Sequence, residues 1–154
     1  MLEVSSEIPQ AWVRFLRSSA ELTARMDRRL ATEHDLSLRG YEVLLALDGA
    51  PGRRMRRVDL AAKIFLTQSG VTRLLAGLER DGLVEKVPGE EDRRVAYAQL
   101  TEAGRRRFAE AARTHRADIA ELFTARLSAR DLAALDRALS KLPGGGEGWW
   151  RDDG

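Results

Sequence analysis

The sequence has no cysteine, only four prolines and two histidines, and aromatic residues make up 6% of its 154 positions. Without cysteine there is no disulfide, no thiol-based redox sensing and no cysteine-ligated metal. His34 and His115 stand far apart, in neither the spacing of a metal site nor that of a nucleophile with its base. No convergent polar cluster can be found that would serve an enzyme, so neither catalysis nor a cofactor is expected. No apolar run approaches the length of a membrane span, and the opening MLEVSSEIPQ lacks the basic-then-apolar order of a secretory signal. These absences predict a soluble, cytoplasmic protein. The length fits one domain with a sizeable buried core, and no segment repeats.

What is present is unevenly spread. The formal net charge is +2, yet residues 53–107 hold 13 Lys/Arg against 8 Asp/Glu, which leaves the two flanks net negative. A local basic excess is the electrostatic footprint of a nucleic-acid reader. An arginine-rich solvated surface would show the same pattern without a partner.

The basic stretch contains the most structured reading in the chain, VDLAAKIFLTQSGVTRLLAGLERDGLVEKVPGEEDRRVAYAQLT, from Val58 to Thr101. It predicts helix, tight turn, second helix and a two-stranded hairpin. The pattern breaks at Leu66-Thr67-Gln68-Ser69-Gly70, where Thr67 can cap the second helix. Leu66 and Val71 have the spacing of a hydrophobic staple. Val71, Leu74, Leu75 and Leu78 form one apolar face, and Gln68, Ser69, Thr72 and Arg73 lie on the other. That is a helix-turn-helix, whose second helix lays its first turns in the major groove. Gln suits adenine, Arg suits guanine, and Ser or Thr reaches bases or phosphates. After Asp81-Gly82, LVEKV and RVAYAQL read as strands flanking a charged tip, a wing whose Arg93 and Arg94 suit a narrow minor groove. Asp92 is read as an ion-pair partner that orients Arg94.

These residues resemble the MarR family of winged-helix regulators. The family's D-x-R, strand, L-T-x-x-G pattern falls on Asp92, Arg94, Leu100, Thr101 and Gly104, and QSGVTRLLAGLERDGLV is similar to its recognition helix and following strand. The resemblance covers nearly the whole chain. It implies a homodimer whose first and last helices interleave, and a DNA affinity that falls when a small, often aromatic and anionic, effector binds between those helices and the DNA-binding lobe.

The remaining chain fits this plan. Ile8, Trp12, Phe15, Leu22, Met26 and Leu30 recur at helical spacing, widened by Val13 and Leu16, with Pro9 in the first turn. Ser37 caps a second helix carrying Tyr41, Leu44, Leu45 and Leu47, with Leu36 as staple to Tyr41, ending at Gly49-Ala50-Pro51-Gly52. Arg53, Arg54, Arg56 and Arg57 form a basic cluster for phosphate contact or plain solvation, Arg56 being the one chosen for DNA, and Met55 fits a short strand beside the wing. The next helix is expected to begin near Val58 with a weak cap. Thr101 caps a long helix expected to reach Leu127 and striped by Phe108, Ala112, His115, Ile119, Leu122 and Leu127. In its first turn Arg105-Arg106-Arg107 opposes the helix dipole, either for a nearby anion or as solvated surface. Ser128 and Asp131 read as a capping box before a helix using Leu132, Leu135, Leu139 and Leu142.

The expected fold is therefore mostly α with a small β-hairpin wing. A winged helix-turn-helix lobe spans residues 37–100, dimerisation helices 8–33 and 102–142, and a flexible tail 143–154 containing Trp149 and Trp150. The terminal stripes have no other element to cover them, and paired readers span two half-sites, so a homodimer on double-stranded DNA is expected. The expected function is sequence-specific regulation of transcription, as a repressor on a pseudo-palindromic operator, released by an aromatic or anionic effector. Trp12, Arg14, Phe15, His34 and Tyr41 are the residues that could line an effector pocket, with flat apolar walls and a carboxylate partner in Arg14. Bland roles fit as well: Trp12 and Phe15 as dimer core and Arg14 as surface, and, outside that set, His115 as a satisfied interface histidine. A ligand-independent regulator and a winged-helix protein-interaction module are the alternatives.

Overall fold

The computed structural model describes residues 9–146, in six helices and three strands. Ile8 and the Trp149-Trp150 pair lie outside the described residues. Helix α1 (Gln10–His34) starts at Pro9, which serves as the cap position instead of standing in the first turn. It ends through Asp35 in the left-handed region, whose N–H reaches back to the carbonyl of Ala31. Helix α2 (Leu38–Asp48) is capped by Ser37, which accepts from Gly40 N at 2.9 Å. Helices α3 (Arg57–Lys63) and α4 (Gln68–Arg80) form the helix-turn-helix. Helix α5 (Glu102–Leu122) is capped by Thr101 and α6 (Ala129–Leu139) by Ser128, whose capping box with Asp131 is complete.

Strands β1 (Arg54–Arg56), β2 (Val84–Pro88) and β3 (Ala96–Leu100) make an antiparallel sheet in the order β1-β3-β2. Met55 pairs with Ala98, which gives the short strand beside the wing that the sequence suggests. Val84 pairs with Leu100 and Pro88 with Ala96. A tripeptide strand gains little by itself. Here its pairing with β3 holds the segment just ahead of α3 against the wing.

The core lies inside the lobe. Leu30, Val43, Leu44, Leu47, Leu60, Ile64, Val71, Leu83 and Val84 are its largest fully buried side chains. Each such burial contributes roughly 1.5–3 kcal/mol relative to exposure, so α2, α3, α4 and the sheet are held together by one contiguous apolar interior. Helix α5 joins this core. Phe108, Ala111 and Ala112 pack onto that interior, and the Phe108 ring stacks on Tyr41 at 5.6 Å between centroids. Its apolar stripe is thus partly covered within the chain, contrary to the expectation that nothing is left to cover it. The first half of α1 is different: Trp12, Val13, Phe15 and Leu16 are exposed, whereas Met26 and Leu30 further along are buried.

Several boundaries differ from the sequence reading. The cap of α3 is Arg56, not Val58, because β1 runs directly into the helix and the only first-turn carboxylate, Asp59, turns back to the Arg56 side chain. Strand β3 begins at Ala96, not Arg94, since the tip closes through Gly89 N to Val95 O at 2.7 Å and Val95 N to Asp92 O at 3.1 Å. Helix α5 stops at Leu122, where Phe123 adopts φ −123, and a single 3-10 turn, Thr124–Arg126, follows before α6. Helix α6 ends at Leu139, which leaves Leu142 outside it and exposed.

Candidate nucleic-acid interface

Helix α4 is turned by its own sequence. Thr67 Oγ1 accepts from Gly70 N at 3.1 Å, fixing the first turn. Val71, Leu75 and Leu78 are buried and Leu74 half-buried, so the opposite face must point outward. Gln68, Ser69, Thr72 and Arg73 all stand on that exposed face. Thr72 Oγ1 donates back to Gln68 O at 2.8 Å, and Ser69 Oγ lies 3.2 Å from Thr67 Oγ1. Arg73 has no hydrogen-bond or ion-pair partner among the described residues, so its full set of donors is available to an outside acceptor.

The arginines of the preceding cluster separate into distinct roles. Arg56 is held by Asp59 through two hydrogen bonds, at 2.7 and 3.1 Å, so its guanidinium is already matched. Arg53 pairs with Asp48 at 3.2 Å. Arg54 pairs with Glu90 at 2.8 Å and lies 5.2 Å from the Tyr97 ring centroid, tying β1 to the wing. Arg57 Nη1 donates to Thr72 Oγ1 at 3.2 Å, which brings a cation onto the exposed face of α4. The sequence places both Arg56 and Arg57 in the basic cluster and singles out Arg56; in the structure it is Arg57 that contacts α4. The run of arginines was the only signal, and it cannot say which member reaches across to a helix fifteen residues on.

At the wing, Asp92 accepts from Arg94 three times: from its backbone N at 3.0 Å, Nε at 3.1 Å and Nη2 at 3.2 Å. Those hydrogen bonds from the Arg94 side chain, and then its backbone, hold the Asp92 carboxyl below the usual aspartate range. The Arg94 side chain is nonetheless 91% exposed. The carboxylate therefore orients the arginine without burying it, as the sequence spacing suggests. Arg93 is exposed beside it.

The wing is locked to α5 at one point. Thr101 Oγ1 donates to Gly82 O at 2.7 Å, and Thr101 N donates to Leu83 O at 3.1 Å. Gly104 sits against the same Leu83 carbonyl, and a Cβ there would overlap it. The glycine of the L-T-x-x-G pattern is a packing requirement.

The five effector candidates fall into two groups within one chain. Arg14 and Phe15 line an apolar groove of about 820 Å³ between α1, the end of α5 and α6, together with Leu22, Leu122, Leu127 and Leu135. Trp12 stands beside them, its ring 6.5 Å from that of Phe15, and is half exposed. His34 and Tyr41 lie at the other end of α1, about 30 Å away at the rise of an α-helix. There His34 Nε2 is 2.7 Å from Thr114 Oγ1, and Arg107 Nη1 donates to the His34 carbonyl at 2.7 Å. Of the three arginines in that run, Arg107 thus caps the end of α1, which accounts for one cation that the helix dipole of α5 disfavours. Tyr41 is buried against His115, their rings 4.6 Å apart.

A capped helix with an exposed polar face, followed by a sheet whose tip projects an oriented arginine, defines a winged helix-turn-helix protein of the DNA-binding type. Comparison with known proteins narrows the class. A family model described as MarR family matches residues 34–95. The crystal structure of AbsC, a MarR family transcriptional regulator from Streptomyces coelicolor, is 30% identical, with TM-score 0.81 over 88% of this chain and 93% of that one. This chain belongs to the MarR family. Sco3205 from the same organism, a MarR family regulator solved in complex with DNA, shares the fold at 23% identity and TM-score 0.81, over 89% of this chain and 88% of that one. The HTH-type transcriptional repressor YetL of Bacillus subtilis is 33% identical over 81 residues, 49% of this chain and 48% of YetL. Such matches span 48% to 64% of the length of the curated relatives. No helix among the described residues is long and apolar enough to cross a membrane.

Proposed function

We propose that this protein is a sequence-specific DNA-binding regulator of transcription, acting as a homodimer on a pseudo-palindromic operator. One observation carries the reading: α4 buries Val71, Leu75 and Leu78 while Gln68, Ser69, Thr72 and Arg73 are all exposed on its first turns. That polar, hydroxyl-rich face suits base edges, where an interaction module would present an apolar one. Arg57 and Arg73 supply cations there, and Arg94 supplies one for the minor groove. The DNA-bound Sco3205 supports the same reading of the fold.

The exposed apolar side chains Trp12, Val13, Phe15 and Leu16, and an α6 with no residue buried, favour a second copy seated on the groove between α1 and α6. Paired lobes then present two copies of α4 to successive major grooves. Repression is the favoured direction, in line with the repressor YetL. An aromatic or anionic effector would act by binding better to the arrangement in which the two α4 helices no longer match that spacing. Arg14 and Phe15 in the groove are the residues of this chain best placed for it, and a cytoplasmic location follows from the role.

The test is selection of duplexes from a randomised pool by the purified protein, followed by titration of the best duplex over salt. Enrichment of a two-fold symmetric sequence, with log affinity falling steeply in log salt, supports the proposal. Weak binding indifferent to sequence rejects it in favour of an interaction module.

A further inference from the structure

The turn between α3 and α4 closes through a residue at which the fold has two reasons to prefer another. Ile64 N donates to Leu60 O at 3.0 Å and Leu66 N to Ala61 O at 3.1 Å, the reach-back that ends a helix through one left-handed position. That position is Phe65, with φ 54. Glycine adopts such a backbone without penalty, whereas a Cβ meets the carbonyl beyond it. The Phe65 ring then gains nothing from burial, for it is 75% exposed, more than any other large hydrophobic residue described. An exposed apolar side chain alone is ordinary. One placed where the backbone favours glycine is a side chain that the fold did not select.

Its location indicates what did. Phe65 stands two residues ahead of the Thr67 cap, at the end of α4 that carries Gln68, Ser69 and Thr72. Arg57 is brought to that end by its bond to Thr72, and Arg73 lies one residue further on. The apolar groove that suits a second copy is lined from α1, α5 and α6, not from this turn. A lone ring among hydroxyls, amides and cations suits duplex DNA better than a broad apolar protein partner. In the major groove an aromatic side chain has one apolar target on base edges, the 5-methyl group of thymine.

We propose that Phe65 is a specificity-determining contact that packs on a thymine methyl at the edge of the major groove. The proposal rests on the DNA-binding reading above and adds a base preference to it. The experiment uses the full chain and a duplex selected by the wild-type protein from a randomised pool. Each thymine is replaced in turn by deoxyuridine, which removes only the methyl, and affinities are measured for wild type, Phe65→Gly and Phe65→Ala. At one thymine per half-site, the wild type is expected to lose about three- to tenfold in affinity on methyl removal. Both variants should bind the unmodified duplex correspondingly more weakly and be indifferent to that methyl. Phe65→Gly should melt no lower than wild type, since it relieves the left-handed backbone, so weaker binding is not misfolding. Variants that bind as tightly as wild type, or that keep every methyl sensitivity, overturn the proposal and leave the DNA reading intact. A wild-type protein that enriches no sequence overturns both.

Discussion

Gly104→Ala puts the junction between wing and α5 to a quantitative test. A Cβ at this position overlaps the Leu83 carbonyl oxygen and comes within 2.8 Å of Leu100 Cδ1. The main obstacle is backbone, and it cannot rotate away: the Leu83 carbonyl also accepts from Thr101 N at 3.1 Å. Relief requires α5 to lift from the start of β2, which strains the Thr101 bond to Gly82 as well. Overpacking of this kind costs about 1–3 kcal/mol, and a rigid obstacle places it toward the upper end. Alanine regains about 1 kcal/mol of helix propensity over glycine. The net loss is then about 1–2 kcal/mol, a fall in Tm of about 3–8 °C for a chain of this size. Gly77→Ala is the control. Its Cβ would meet only the far end of the Arg80 side chain, at 3.6 Å, so the propensity gain should appear undiminished as a small rise in Tm. Thermal unfolding at one fixed protein concentration compares the three proteins, since assembly shifts apparent stability. A Gly104→Ala protein as stable as the Gly77→Ala protein would refute the packing argument.

Arg73→Ala should weaken binding to a selected duplex by about 1–3 kcal/mol and relax its base preference. Arg94→Ala should weaken binding to all sequences more evenly and flatten the salt slope; equal effects of the two on base preference would undo the division into major-groove and wing contacts. Thr67→Ala removes the α4 cap and should cost about 1 kcal/mol in urea denaturation, with affinity for a selected duplex falling further because the first turn of α4 frays. Burial holds His115 below the ordinary histidine value, opposed by the nearby Asp118 charge. A depressed folded pKa means stability present above the unfolded value and lost as pH falls below about 6.5. His115→Phe, which keeps an aromatic ring beside Tyr41, should lose less Tm than wild type on acidification; parallel losses would assign the effect elsewhere.

The caps were legible because they are local. Ser37, Thr67, Thr101 and Ser128 each accept from a backbone N–H three residues on, a contact that spacing alone specifies. The apolar face of α4 was equally legible, and with it the outward display of Gln68, Ser69, Thr72 and Arg73, because burying one side of a helix exposes the other. The Asp92–Arg94 pair lies two residues apart and is a local turn contact for the same reason. Tertiary structure decided what depended on neighbours distant in sequence. Which arginine faces α4 was set by the pairing of β1 with β3, which ties Arg54 to Glu90 across the sheet and leaves Arg57 facing Thr72. The placing of the α3 cap at Arg56 came from that same strand running straight into the helix. Arg107 became the cap of α1, and His34 and Tyr41 were carried away from Trp12, Arg14 and Phe15, because α1 is one continuous helix whose two ends meet different partners. Periodicity fixes which way a side chain turns about its own helix, and only packing fixes what stands opposite.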